Sequence, residues 1–190
     1  RTVSREKTFF GEGCVAHVSF SHPIADRLQH ALYNTCLDLG LPSHLGGTYI
    51  CMEGPQFSTL AESNLYRSWG CDVIGMTNMP EAKLAREAEL PYATVAMVTD
   101  YDCWHPDHEA VSVESVIKVI EKNRDNANLL LKNALPRIKV RPNEDIQGGD
   151  RALDFAIVTS PDNRDPELVA KLDAVAAVSY THLRAHETQR

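Results

Sequence analysis

Two carboxylates, Asp100 and Asp102, stand two residues apart in Thr99-Asp100-Tyr101-Asp102-Cys103-Trp104. They follow Tyr92 to Val98, a run that is apolar nearly throughout. In extended chain, residues two apart share a face, so the pair is expected to point one way at a strand tip. Neighbouring carboxylates raise each other's proton affinity, and burial adds to it. One of them can then stay protonated near neutral pH and serve as a general acid. The competing reading is a solvated acidic turn in which Asp100 is a local cap. A metal reading adds His105 and His108, but Asp-x-Asp with His-x-x-His fits no common ligand pattern, and no metal is expected.

Two further places carry chemistry-bearing types. Glu53-Gly54-Pro55-Gln56-Phe57-Ser58 forces a turn and ends in an aromatic ring that could cover a flat heterocycle, with Ser58 able to bond a ligand or cap a helix. The structural alternative puts Phe57 in the core and leaves Ser58 as cap only. Gly75-Met76-Thr77-Asn78-Met79-Pro80 offers a hydroxyl at a helix N-terminus, which suits an anion, although the segment is no Gly-rich phosphate loop. The bland reading makes Thr77 or Asn78 an ordinary N-cap. His17, between Ala16 and Val18, faces away from both, and a satisfied core or interface histidine competes with any ligand role. No Gly-x-Ser-x-Gly elbow occurs.

The elements that must position these residues follow from periodicity. Cys14–Phe20, Thr48–Met52, Cys71–Gly75 and Tyr92–Val98 read as strands, the last covered on both faces. A helix starting near Pro23 carries Leu28, Leu32, Thr35 and Leu39 and stops at Gly40. Another runs from a Ser58 cap to Trp69 with Gly70 beyond, and a third opens at Pro80-Glu81. Residues 99–110 read as a polar loop. A long helix capped by Ser112 presents Val113, Val116, Ile117, Ile120, Arg124, Ala127, Leu131 and Ala134 as one stripe and ends at Pro136. Lys139 to Asp150 reads as a surface loop, and Asp165-Pro166-Glu167 as a helix start. The class is α/β with a parallel or mixed sheet, in which ligands gather at strand carboxyl ends, here after Met52, Gly75 and Val98.

The chain of 190 residues is long enough for one domain with a sizeable core, and its net charge of −7 argues against a general nucleic-acid binder. No apolar stretch of membrane-spanning length occurs. Five cysteines without a Cys-x-x-Cys read as reduced thiols, which points to the cytoplasm. The last thirteen residues, Val178–Arg190, look like translated adaptor and are set apart from a domain over 1–177.

In this order the motifs Gly47-Thr48-Tyr49-Ile50-Cys51-Met52-Glu53-Gly54-Pro55-Gln56-Phe57-Ser58-Thr59, Ala61-Glu62-Ser63, Trp69-Gly70-Cys71-Asp72-Val73-Ile74-Gly75-Met76-Thr77, Pro80-Glu81 and Thr99 to Trp104 resemble the 5′-methylthioadenosine phosphorylases. These belong to the trimeric branch of the purine nucleoside phosphorylases. The resemblance runs from about residue 1 to 138 and more loosely through Asp150–Asp154. It implies an α/β domain with a mixed, partly barrel-like central sheet flanked by helices, assembled as a homotrimer. It implies phosphorolysis of methylthioadenosine to adenine and 5-methylthioribose 1-phosphate in purine and methionine salvage, with inorganic phosphate as co-substrate and no cofactor. By position, Phe57 stacks on the purine with Ser58 beside it, Met76 meets the ribose, and Thr77 bonds phosphate. Asp100 and Asp102 face N7 and the 6-amino group, Val113 lines the alkylthio pocket, and His17 reaches a neighbouring subunit's site.

The alternatives are a 6-oxopurine nucleoside or methylthioinosine phosphorylase, a nucleosidase using water, or a purine-binding fragment without turnover. The family's first strands, Gly-containing phosphate loop and Arg-His phosphate pair have no counterpart upstream of the matched region. The chain starts at Arg1 rather than Met, so it is expected to begin partway through the family sequence and to be poorly active alone.

Overall fold

A computed structural model describes residues 4–105, 113–138 and 149–175, with the side chains of 113–116 outside that description. Residues 178–190, Ser112, His108 and most of the loop from Lys139 to Asp150 also lie outside it. The described chain forms two compact units.

The first unit takes residues 27–78 and 94–138, together with Ser4. Its sheet is a parallel pair, β1 (Tyr49–Cys51) and β2 (Val73–Gly75), in the register Tyr49↔Val73, Ile50↔Ile74 and Cys51↔Gly75. A parallel pair needs a crossover, and α2 (Leu60–Ser68) supplies it. One edge of the register is pinned by Asp72, whose Oδ2 accepts the Thr48 amide at 2.7 Å while its own amide donates to the Thr48 carbonyl at 2.9 Å. The other edge is fixed by the Met52 amide on the Gly75 carbonyl at 2.9 Å.

The start of α2 departs from the sequence expectation by one residue. Thr59, not Ser58, is the N-cap: its Oγ1 accepts the Glu62 amide at 3.2 Å, and Glu62 Oε2 accepts the Thr59 amide at 2.8 Å. The Thr-x-x-Glu spacing makes this reciprocal box available, which Ser58 lacks because Ala61 stands three residues on. α1 (Asp26–Asp38) and α2 end near Gly40 and Gly70, where the sequence places their stops.

α4 (Val113–Ala134) packs differently from the expected stripe. Leu130 and Ala134 are buried with Cys36 of α1, against Leu32, Leu41 and Ile138, while Ile117, Ile120 and Leu131 are each about half exposed. Ala134 takes its expected inward place, but beside it the buried position is Leu130 rather than Leu131, about 100° around the helix. The contact with α1 selects the Leu130 face, and periodicity alone does not distinguish between adjacent apolar columns.

Tyr92–Val98, expected as a strand covered on both faces, is extended but joins no ladder, and Val95, Met97 and Val98 are exposed. A strand is defined by a ladder of hydrogen bonds to a neighbour; the Tyr92 carbonyl accepts the Ala25 amide at 2.8 Å, but among the described residues no strand or bridge pairs with this run. The expected loop after it contains a short 3₁₀ turn, Asp102–Trp104.

The second unit takes residues 5–26, 79–93 and 149–175. It holds α3 (Asn78–Glu87), which is kinked at Met79 so that regular helix begins at Pro80, and α5, residues 166–175. Asp165 Oδ1 accepts the Leu168 amide at 2.8 Å, the cap that Asp-Pro-Glu announces. Its core is Phe10, Cys14, Leu153, Ala156 and Leu172. The expected strand at Cys14–Phe20 is reduced to isolated antiparallel bridges, Gly11↔Cys14 and Ala16↔Ile157, with Val158 donating to Val15 at 2.9 Å. Its alternation survives: Cys14, Ala16 and Val18 turn inward and Val15, His17 and Ser19 outward. Buried Glu87 is satisfied, accepting from Thr8 Oγ1 at 2.8 Å and the Phe9 amide at 2.7 Å. The α/β class read from the sequence holds, with parallel and antiparallel pairing both present.

Candidate active site

A cavity of about 560 Å³ opens in the first unit, within the usual size of small-ligand pockets. It is lined by β1, β2 and the segments that follow them, by α2, and by the run and turn at 94–102 and 104. All three places marked by sequence contribute: Phe57 and Ser58, Met76 and Thr77, and Asp100 and Asp102.

Phe57 is 84% exposed, which removes the reading that buries it in the core. A large ring presented to a cavity rather than packed is a free stacking surface. Ser58 is half-buried, and its hydroxyl approaches Met52 Sδ at 3.7 Å rather than capping α2. Met76 lies against Gly54: a Cβ at Gly54, whose φ is 74°, would run into the Met76 sulfur. At Gly75 a Cβ would collide with the Tyr49 hydroxyl, so the strand tip stays bare where the ring crosses it. Thr77 is exposed on the cavity wall just before α3. Asn78, buried, accepts the Thr94 hydroxyl through Oδ1 and so ties this corner to the 94–98 run.

Asp100 and Asp102 do not lie in extended chain. Asp100 Oδ1 accepts the Asp102 amide at 2.8 Å, an Asx turn, and Asp100 Oδ2 accepts the Thr99 hydroxyl at 2.8 Å. Asp102 sits at φ 59°, in the left-handed region that costs a non-glycine residue about 1 kcal/mol. The local-cap reading of Asp100 is therefore met, alongside its place on the cavity. Asp100 is exposed and Asp102 half-buried, so the burial on which the proton-holding argument draws is absent at the first and partial at the second.

The turn is fixed from three sides. Asn123 of α4 donates to the Val98 carbonyl at 3.0 Å, and the Cys103 thiol lies 3.6 Å from the Ser58 carbonyl. The Arg67 guanidinium of α2 stacks 3.7 Å above the Trp104 ring.

Two expected site residues are not brought to this cavity by anything described. The side chain of Val113, at the first residue of α4, lies outside the described residues. His17 is exposed in the second unit, with its amide on the Ala156 carbonyl at 2.8 Å. Among the described residues no group of three or more His, Cys, Asp or Glu side chains could hold a metal ion. Tyr49, Tyr66, Arg67 and Trp104 also line the cavity and were not singled out by sequence. The signal for Tyr66 and Arg67 was their place three and four residues after Ser63, on the α2 face that turns to the cavity.

Residues 1–136 match the sequence profile of the phosphorylase superfamily. The chain is 60% identical over 176 residues to the S-methyl-5′-thioadenosine phosphorylase of Rhodospirillum rubrum, covering 93% of this chain and 60% of that protein. It is 51% identical over 183 residues to the enzyme of that name from Synechocystis, covering 95% of this chain and 56% of that protein. It superposes on a crystal structure of a methylthioadenosine phosphorylase from an antarctic soil metagenomic library with a TM-score of 0.83 at 45% identity, over 92% of this chain and 61% of that one. The methylthioadenosine phosphorylase of Schistosoma mansoni in complex with adenine gives a TM-score of 0.70 at 29% identity, over 80% of this chain and 60% of that one. The chain thus spans about 60% of the length of the curated relatives it matches. No described helix is long and apolar enough to cross a membrane. With its α/β architecture and the family's motifs gathered around one cavity, the chain belongs to the phosphorylase superfamily.

Proposed function

We propose that the cavity is a purine nucleoside site and that the chain serves phosphorolysis of 5′-methylthioadenosine to adenine and 5-methylthioribose 1-phosphate. The observation that carries this is the convergence of Phe57, Met76, Thr77, Asp100 and Asp102 on one wall system. The names of the relatives support the same substrate.

The chemistry needs these types. A phosphate oxygen bonds the anomeric carbon as its bond to the purine nitrogen breaks. The electron pair of that bond passes to the purine, and a proton on N7 neutralises it. Asp100 and Asp102 supply the carboxyl that delivers this proton, a step typically contributing about 10²–10⁴-fold. The other carboxylate accepts from the exocyclic amine, which favours adenine over a 6-oxopurine. Phe57 stacks on the base, Ser58 lies beside it, Met76 packs against the ribose and Thr77 donates to phosphate. Val113 at the alkylthio group, His17 from a neighbouring subunit, a homotrimer and a cytoplasmic setting complete the proposal. No cofactor beyond the co-substrate phosphate is called for.

The test is adenine binding by calorimetry, followed by phosphate-dependent adenine release. Phe57→Ala is expected to weaken adenine by roughly 1–3 kcal/mol, the scale of one base–aromatic stack. Asp100→Asn is expected to slow release by about 10²–10⁴-fold. Hypoxanthine bound as tightly as adenine, or release indifferent to phosphate, overturns the substrate and the reaction respectively.

A further inference from the structure

We propose that Arg67 is a positioning residue, holding the acid-bearing turn in place by stacking on Trp104. The inference rests on the reading of the cavity as a purine site.

Arg67 is exposed on α2, and its guanidinium carbon lies 3.7 Å from the centroid of the half-buried Trp104 ring. That distance is a close cation–π stack. Trp104 in turn belongs to a cluster inside the turn: Tyr101 meets it edge-on at 6.1 Å, and His105 lies 5.2 Å from Trp104 and 5.1 Å from Tyr101. The cluster closes the same short segment in which Asp100 accepts the Asp102 amide and Asp102 is held at φ 59°. A left-handed aspartate costs the turn about 1 kcal/mol even with its Asx bond, so a tie from outside the turn helps to hold it. The stack ties α2 to this turn, and the long Cys103–Ser58 contact adds a tie to the residue before the Thr59 cap. Arg67 itself lines the cavity beside Asp102 and Trp104, so the clamp acts where the base would sit. A planar, weakly hydrated cation suits a ring face, and an ammonium replaces it only in part.

The experiment compares Arg67→Met, which keeps an apolar stem, with Arg67→Lys and Trp104→Leu. The first readout is amide hydrogen exchange over residues 99–105. The second is adenine affinity by calorimetry. Arg67→Met is expected to speed exchange in the turn, and to weaken adenine, by about two- to fivefold, the scale of an exposed cation–π contact. Arg67→Lys falls between it and the unaltered chain. The double variant with Trp104→Leu costs no more than Trp104→Leu alone. Exchange over 49–51 and 73–75 stays unchanged, which separates loosening of the turn from loss of the fold. Unchanged exchange in the turn overturns the clamp. Faster exchange with unchanged adenine affinity, or additive single effects, overturns the positioning role. An unaltered chain that binds no adenine sinks the purine reading, while exchange still reports whether the clamp stands.

Discussion

The strand pair β1–β2 and the run at residues 94–98 line the same cavity and share an apolar composition, yet only the pair is a sheet. β1 and β2 share a three-rung register, Asp72 locks its start, and Cys51 is buried. The run is extended with Val95, Met97 and Val98 exposed, and it is anchored at its end by Asn123 on the Val98 carbonyl at 3.0 Å. The contrast separates two things that sequence merges. Apolar, β-branched composition makes a segment compatible with a strand. Only a neighbouring backbone edge turns it into one. The same division appears on α4, where Leu130 is 3% exposed against α1 and Leu131, its chain neighbour, is 50% exposed.

That helix gives the sharpest way to break the comparison. Leu130→Ala removes a side chain buried among Cys36, Ala134 and Ile138, and is expected to cost about 2–5 kcal/mol in urea unfolding. Leu131→Ala is expected to stay within about 0.5 kcal/mol, as for surface positions. Equal losses at the two positions would show that the Leu131 column is covered in solution, and the difference in partnering would disappear.

Gly75 against Val98 applies the same test to the strands. Gly75→Ala sets a Cβ against the Tyr49 hydroxyl and must push the ring off the strand tip. The expected loss is about 1–3 kcal/mol, the cost of overpacking, with weaker adenine binding because Tyr49 and Gly75 both line the cavity. Val98→Thr, at an exposed site with no ladder, is expected to change stability by about 0.5 kcal/mol or less. A large loss at Val98 would mean that the run has a partner in solution.

These contrasts also mark what the sequence could reveal. The β1–α2–β2 crossover was legible because each of its parts is local: two short apolar runs, a Thr-x-x-Glu start and a Gly70 stop. The three cavity segments were legible for the same reason, since strand tips followed by Gly-Pro, Met-Thr and Asp-x-Asp stand out singly. What was not legible depends on partners distant in sequence. Whether 92–98 is paired, whether Leu130 or Leu131 meets α1, and whether Cys14–Phe20 extends beyond a bridge to Ile157 are settled by residues far along the chain. At Asp100 and Asp102 the turn with a local cap, rather than the extended pair, is formed for a different reason. A short carboxylate can bond its own backbone two residues on, and that Asx turn displaces the extended pairing of the two side chains.

The smallest effect concerns the start of the crossover that keeps β1 and β2 together. Thr59→Ala removes one half of the capping box and is expected to cost about 1 kcal/mol. The other half makes the cap sensitive to acid. The Thr59 amide, and secondarily its hydroxyl, donate to Glu62 and hold that carboxyl below its ordinary value of 4.5. A carboxyl depressed by folding stabilises the native state fully above that value, and the contribution fades as pH falls through the lower, folded one. Amide protection at Glu62 and Ser63, taken relative to the intrinsic exchange rate at each pH, is therefore expected to fall on acidification below 4.5 in the unaltered chain. In Thr59→Ala the hydroxyl share of that response is lost and the backbone share remains, so the acid dependence is reduced without vanishing. An acid response identical in the two chains would place the sensitivity elsewhere and leave the crossover, like the run at 94–98, without a local lock at its entrance.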